Sequence, residues 1–252
     1  MSTRFDHLEF VQDDAVGVLW LDRPAKRNAI NDAMLDEMRA FFSSPPPDVR
    51  AVVVTGRGTH FCSGLDLGEH GARSPVEVMR NSQTWHAAFN VIQFGNIPVV
   101  AALRGAVIGG GMELAAAAHV RVADHSTFFA LPEGQRGIFV GGGGSVRVAR
   151  AIGSGRMVEL MLTGRRMPAR EAMQAGMVHH LVENETSLAK AVELAKIIAG
   201  NAPVANYAII NAIARISDMS ASDGLFTESL MAALVKSEDT GERIAAFLSQ
   251  AK

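Results

Sequence analysis

Two hydrophobic periods alternate along the chain, and each change of period marks a boundary between elements. Residues 7–12 and 15–21 alternate apolar and polar around Asp13-Asp14, which predicts a β-hairpin. A polar loop, Asp22-Arg-Pro-Ala-Lys-Arg-Asn-Ala, follows. Asn31 then caps a predicted helix whose apolar stripe runs through Met34, Leu35, Met38, Phe41 and Phe42 and stops before Pro45-Pro46-Pro47. Residues 51–55 and 97–103 are unbroken apolar runs rich in valine, the signature of strands buried on both faces. Between them lie a glycine-bearing turn, 56–67, and a predicted helix, 75–94. Short strands are predicted over 119–123, 127–131 and 178–182. Predicted helices start at Ser145 and cover 156–162 and 168–175, with Gly176 ending the last. From Ser187 onward the period is helical only, over 187–199, 203–216, 221–236 and 240–250. The pattern predicts an α/β core over residues 1–186 and a helical region over 187–252 whose apolar stripes suit subunit contacts.

The chain also repeats itself. At an offset of 47, Val52-Val53 match Val99-Val100, Arg57-Gly58 match Arg104-Gly105, Gly64 matches Gly111 and Leu67 matches Leu114. Phe61, Leu65 and Asp66 face the similar Ile108, Met112 and Glu113. Strand, Arg-Gly turn, glycine, acid and leucine thus occur twice, which predicts two stacked units with their turns side by side.

Composition narrows the class. At 48% hydrophobic and 20% charged, the 252 residues suit a globular protein with a sizeable core. The formal net charge is −2 and no basic block stands out, so nucleic acid is not an expected partner. Cys62 is the single cysteine, so no intrachain disulfide forms and a reducing compartment is expected. The first residues carry no apolar signal core and no run is long enough to span a bilayer, so the expectation is a cytoplasmic protein without a membrane partner.

Several motifs are excluded by their own residues. Gly56-Arg-Gly-Thr-His-Phe puts Phe61 where a dinucleotide fingerprint needs its third glycine. Gly105 to Gly110 has phosphate-loop spacing, but Gly111-Met112 replaces Lys-Ser/Thr. Gly-x-Ser-x-Gly and His-Glu-x-x-His are absent, and the eight histidines are scattered, so no metal site is expected. What remains is carbonyl chemistry. The turns 61–67 and 109–113 can each aim one backbone N–H at a single oxygen, and such a pair stabilises an oxyanion. Glu113 lies in the second turn, where a helix N-terminus favours its ionised form. Glu133 follows the apolar run Phe128-Phe-Ala-Leu-Pro, which raises its pKa and suits it to proton donation. Asp66 reads as a loop-bracing aspartate.

Leu21-Asp-Arg-Pro-Ala-Lys-Arg-Asn-Ala-Ile-Asn31, Phe61-Cys-Ser-Gly-Leu-Asp-Leu67, Ile108-Gly-Gly-Gly-Met-Glu-Leu114, Leu131-Pro-Glu133 and Leu162-Thr-Gly164 together resemble the crotonase (enoyl-CoA hydratase/isomerase) superfamily, in the family's order over essentially the whole chain. The resemblance implies a crotonase-like spiral of ββα units with a C-terminal helical region, assembled as trimers or dimers of trimers. It implies a coenzyme A thioester as substrate and no permanently bound cofactor. The oxyanion donors it carries over are the N–H groups of Leu65 and Gly110. Glu113 and Glu133 match the catalytic glutamates of enoyl-CoA hydratases. Ala25, Lys26, Ala29, Ser63, Leu65, Asp66, Leu67 and Gly68 match positions that hold coenzyme A, with Lys26 and Arg27 as phosphate partners. Hydration of a 2-enoyl-CoA to a 3-hydroxyacyl-CoA is the expected reaction. Another acyl-CoA reaction of the superfamily (isomerase, lyase or hydrolase) and a non-catalytic CoA- or partner-binding relative are the alternatives. One departure stands out: where the family's hydratases commonly place a proline shortly before Gly-Gly, this chain has Val140 and Gly141–Gly144.

Overall fold

The computed structural model describes residues 2–70, 73–236 and 238–250. In chain order the elements are β1 (Ser2–Arg4), β2 (Leu8–Asp13), β3 (Val16–Leu21), α1 (Asp32–Ser43), β4 (Ala51–Gly56), α2 (Leu67–His70), α3 (Pro75–Gln93), β5 (Val99–Leu103), β6 (Ala106–Ile108), α4 (Gly110–Ala117), β7 (Val120–Asp124) and β8 (Phe128–Ala130). They continue with α5 (Gly144–Ile152), α6 (Ser154–Thr163), β9 (Met167–Pro168), α7 (Ala169–Gln174), β10 (His180–Val182), α8 (Ser187–Ala199), α9 (Pro203–Ile216), α10 (Ala221–Leu234) and α11 (Glu238–Gln250). Ser237, part of the predicted break before the last helix, lies outside the described residues.

The strands form a seven-stranded sheet in the order β1-β2-β3-β4-β5-β7-β10 and a three-stranded sheet in the order β6-β8-β9. The hairpin pairs β2 with β3 antiparallel, and from β3 onward the large sheet runs parallel. Both faces of β4 are covered, which explains its unbroken valines. Val52 and Val54 enter the main core with Leu103, Ala101 and the helix residues Met34, Leu35 and Met38. Ala51 and Val53 enter a second core with Val100, Val122 and the α8 residues Ala191, Ala195 and Ala199. Small residues on α8 let that helix lie close against the sheet.

The 47-residue repeat is a pairing register. Val52 pairs with Val99, Val53 with Val100 and Val54 with Ala101, and the Thr55 hydroxyl donates to Ala102 O. The two glycine turns then lie side by side: Cys62 bridges to Val107, Phe61 donates to Arg104 O and Ile108 donates to Cys62 O. The sequence repeat and the spatial stacking are one feature, as expected of the ββα spiral.

Local chemistry sets most boundaries. Asn31 Oδ1 accepts the Met34 N–H at 3.1 Å and starts α1. Ser74 and Glu77 form a capping box with Pro75 in the first turn of α3. Three elements differ from expectation. Residues 106–108, to which the sequence pattern assigns no element, form β6, because Val107 is buried and β8 supplies a parallel partner. Helix α4 therefore begins at Gly110, immediately after the kink at Gly109, where φ is 52°. Residues 67–70 close into the single turn of α2, and β1 adds an edge strand that no periodicity announced. Among the described residues no single helix is long and apolar enough to cross a membrane.

Candidate active site

The two stacked turns, α3 and the segment after Glu133 enclose a cavity of about 580 Å³. Its wall includes Ser63, Leu65, Leu67, Gly110, Glu113 and Glu133. The other sequence-predicted positions, Ala25, Lys26, Ala29, Asp66 and Gly68, do not line it. They sit on two loops stitched together beside it. Ile30 donates to Gly64 O, Asp66 to Ile30 O and Ser63 to Arg27 O. Arg23 reaches across to Asp66 Oδ2 at 3.0 Å and to Ala29 O at 2.5 Å. Burial works against the Asp66 charge, but the Arg23 hydrogen bond and the Gly68 N–H outweigh it and hold the carboxyl below its ordinary value. Asp66 is thus the loop brace its sequence context predicts. Asn28 is fully buried beneath the first loop, where its amide donates to Arg57 O and His60 O. The loop turns over it through left-handed φ values of 50° at Arg27 and 55° at Asn28.

The turns bring the N–H groups of Leu65 and Gly110 close together. A Cβ on Gly64, where φ is +89°, would stand 3.0 Å from Gly110 N, and one on Gly110 would stand 3.4 Å from Leu65 N. Among the described residues neither N–H has a hydrogen-bond acceptor. Gly110 opens α4, so its N–H is one of the donors that a helix leaves free at its start. The Trp85 ring packs over this point, 2.6 Å from the Gly110 Cβ position, so only glycine fits there. Trp85 is itself held edge-on by Phe89, with ring centroids 5.4 Å apart.

Both acids are buried, Glu113 at 3% exposure and Glu133 at 6%. Glu113 Oε1 accepts N–H groups from Gly142 at 2.8 Å and Gly144 at 2.7 Å, the start of α5. Burial pushes its carboxyl up to about 7, against the pull of those two N–H groups and of Arg147, and the nearby Glu133 charge adds to the rise. Here the structure corrects an expectation. The helix N-terminus does not keep Glu113 ionised by a wide margin, because desolvation is the larger effect. Burial also raises Glu133, opposed by its own N–H and the Arg136 charge. Its Oε2 is buried without a partner, while Oε1 lies 2.6 Å from where a Gly109 Cβ would be. Any Cβ at position 109 displaces that carboxylate.

The glycine run 141–144 thus does what its sequence did not disclose: it presents backbone donors to Glu113. Substituting Gly144 would set a Cβ 2.9 Å from Glu113 Oε1, and substituting Gly142 would set one 2.9 Å from the Trp85 ring. Arg147 pins this loop to α3. It donates to Gly142 O at 2.9 Å, Gln93 Oε1 at 2.6 Å and Asn90 Oδ1 at 2.6 Å. Trp85 and Arg147 were not singled out in the sequence; the position of Trp85 on the buried stripe of α3 was the available signal.

The raised Glu113 makes a stability prediction. Between its ordinary value of 4.5 and about 7, the folded state keeps a proton that the unfolded state has lost. Stability therefore falls as pH rises through that window, by on the order of 3 kcal/mol in total. Glu113→Gln keeps an acceptor for Gly142 and Gly144 but has no charge to bury. Its urea midpoint is expected to match the parent near about pH 4 and to exceed it near about pH 8. A difference between the two proteins that does not change with pH contradicts this.

Comparison with known proteins adds the following. The family described as enoyl-CoA hydratase/isomerase matches residues 12–252. The 2,3-dehydroadipyl-CoA hydratase of Escherichia coli K12 is 32% identical, covering 92% of this chain and 92% of that protein. A crystal structure of a candidate enoyl-CoA hydratase from Rhodopseudomonas palustris CGA009 is 46% identical with a TM-score of 0.94, over 97% of this chain and 95% of that one. The enoyl-CoA hydratase of Bacillus anthracis is 30% identical with a TM-score of 0.91, over 97% of each chain.

Proposed function

The chain belongs to the enoyl-CoA hydratase/isomerase family, and on that premise we propose that it is a hydratase that adds water reversibly across the double bond of 2-enoyl-CoA thioesters. The observation that carries this reading is the pair of buried carboxyl groups, Glu113 and Glu133, on the wall of one cavity beside two free N–H groups. A reaction that moves only a proton needs one acid or base; hydration handles a water and an α-carbon together.

The thioester oxygen sits on the Leu65 and Gly110 N–H groups, which stabilise the enolate-like charge as it develops. Glu113, its Oε1 fixed by Gly142 and Gly144, holds water on Oε2. It removes one water proton as the remaining hydroxyl bonds to C3. Glu133, whose carboxyl burial raises above its ordinary value, delivers a proton to C2. Passage of the proton from Glu113 to Glu133 resets the pair. Loops 24–29 and 63–68, including Ala25, Lys26, Ala29, Ser63, Asp66, Leu67 and Gly68, hold the nucleotide arm, with Lys26 and Arg27 facing its phosphates. Coenzyme A is then part of the substrate, and no other cofactor takes part. A cytoplasmic setting accords with this reading.

Incubation with trans-2-enoyl-CoAs of graded length is expected to lower the absorbance of the conjugated thioester to an equilibrium level. Persistence of that absorbance at every length contradicts hydration and favours another acyl-CoA reaction of the family. We also propose that the working form is a trimer or a dimer of trimers. Ile209, Ile213, Leu225, Phe226, Phe247 and Leu248 on α9, α10 and α11 are half or more exposed, an apolar surface that subunit contacts would cover. Light scattering is expected to give a multiple of three chain masses; a concentration-independent monomer refutes this.

A further inference from the structure

The cavity holds two charged groups that the reaction above does not use, Arg73 and Arg136. Arg73, just before α3, lines it. Nη2 of Arg73 is held by Asp32 Oδ2 at 2.5 Å, and Asp32 Oδ1 takes an N–H from Asn81 at 2.9 Å. This clamp orients the guanidinium. Its Nη1 is buried and has no hydrogen-bond partner. A buried guanidinium donor left unmade is costly, so native structures rarely keep one without a ligand or water to take it.

The surroundings say what would take it. Pro75, Val78, Met79, Ile138 and Phe139 make the neighbouring wall apolar. Apart from Glu113 and Glu133, none of the lining residues is acidic, whereas Arg136 adds a second cation. Pro75 opens the helix on which Trp85 marks the oxyanion turns, ten residues further on. At the rise of an α-helix this is ~15 Å, so Arg73 lies well away from the reacting carbons. The two ends of the cavity thus differ: free N–H donors and two acids at one, a guanidinium paired with Asp32 through Nη2 but with Nη1 unmade at the other, and apolar surface between.

We propose that Arg73 selects acyl groups bearing a carboxylate at the end remote from the thioester, that is, CoA thioesters of unsaturated dicarboxylic acids. This rests on the hydratase reading for the reaction but not for the binding. A carboxylate fits the guanidinium fork, and a methyl terminus leaves Nη1 without an acceptor.

The test uses saturated acyl-CoAs, which bind without turnover, in pairs of equal length ending in methyl or carboxylate. Calorimetric affinities for the full-length protein are expected to favour the carboxylate by about tenfold or more at the length that reaches Arg73. In Arg73→Met and Arg73→Gln this preference collapses, while free coenzyme A binds as it does to the parent. Equal affinity of the parent for both series overturns the proposal, whether or not the variants fold. So does a preference that survives in both variants, or a matching loss of affinity for free coenzyme A, which would place the guanidinium on the coenzyme's phosphates. Because no turnover is involved, failure of the hydration assay and failure here are separate results.

Discussion

Glu133→Gln is expected to lower kcat for enoyl-CoA hydration by about a thousandfold, within the range that a positioned general acid contributes. The side chains are nearly isosteric, so the apolar packing around Phe129 and Leu131 is kept. What is lost is an acidic proton. Glu133 is buried, raised in pKa by that burial, and leaves Oε2 without any protein partner. Burial favours the protonated form of such a carboxyl, whereas an amide cannot deliver its proton to a carbon. Coenzyme A binding and thermal stability are expected to be retained, because the amide has no charge to desolvate. The measurement is single-turnover hydration beside the affinity for a saturated acyl-CoA. An unchanged rate assigns the α-proton to another group.

Gly64→Ala acts on the other half of the site. The residue sits at φ +89°, and a Cβ there meets Ile108 O at 2.6 Å and Gly110 N at 3.0 Å. Both contacts are backbone, so one turn must move away from the other. The two N–H groups then no longer converge on one oxygen, and loss of one oxyanion donor costs about 10²–10³ in kcat. Gly153→Ala is the matched control: φ is +82°, but nothing lies within 4 Å of its added Cβ. Both variants are expected to lose stability by roughly 1–3 kcal/mol from the strained backbone, and Gly64→Ala further through its clash. Only Gly64→Ala loses activity out of proportion to its stability. Equal activity in the two variants means the turns do not bind the reacting oxygen.

The elements legible in the sequence were those whose cause is local or periodic. Asn31 announced the start of α1 because a cap is satisfied within three residues. The valine runs announced doubly covered strands, and the offset of 47 turned out to be the register between β4 and β5. What stayed hidden depends on distant partners. β6 exists because β8 pairs with it, about twenty residues on. A run of glycines signals available N–H groups but not their target, so the hold of Gly142 and Gly144 on Glu113, 29 and 31 residues away, could not be read. The ionisation of Glu113 failed to follow from its helix position for the same reason: burial is a property of everything packed around the carboxyl, and it outweighs the local dipole. Arg73 gave no sign at all, because an unpaired donor is visible only once every neighbour is in place.

The central claim is that water adds to C3 of an enoyl thioester while a proton goes to C2. It is tested most directly by turning over a trans-2-enoyl-CoA in heavy-oxygen water and analysing the product by mass spectrometry. Hydration predicts a 3-hydroxyacyl-CoA carrying one heavy oxygen on C3, formed at a rate that collapses in Glu133→Gln. A product of unchanged mass with its double bond moved, or free coenzyme A with the heavy oxygen in a released carboxylate, would contradict it.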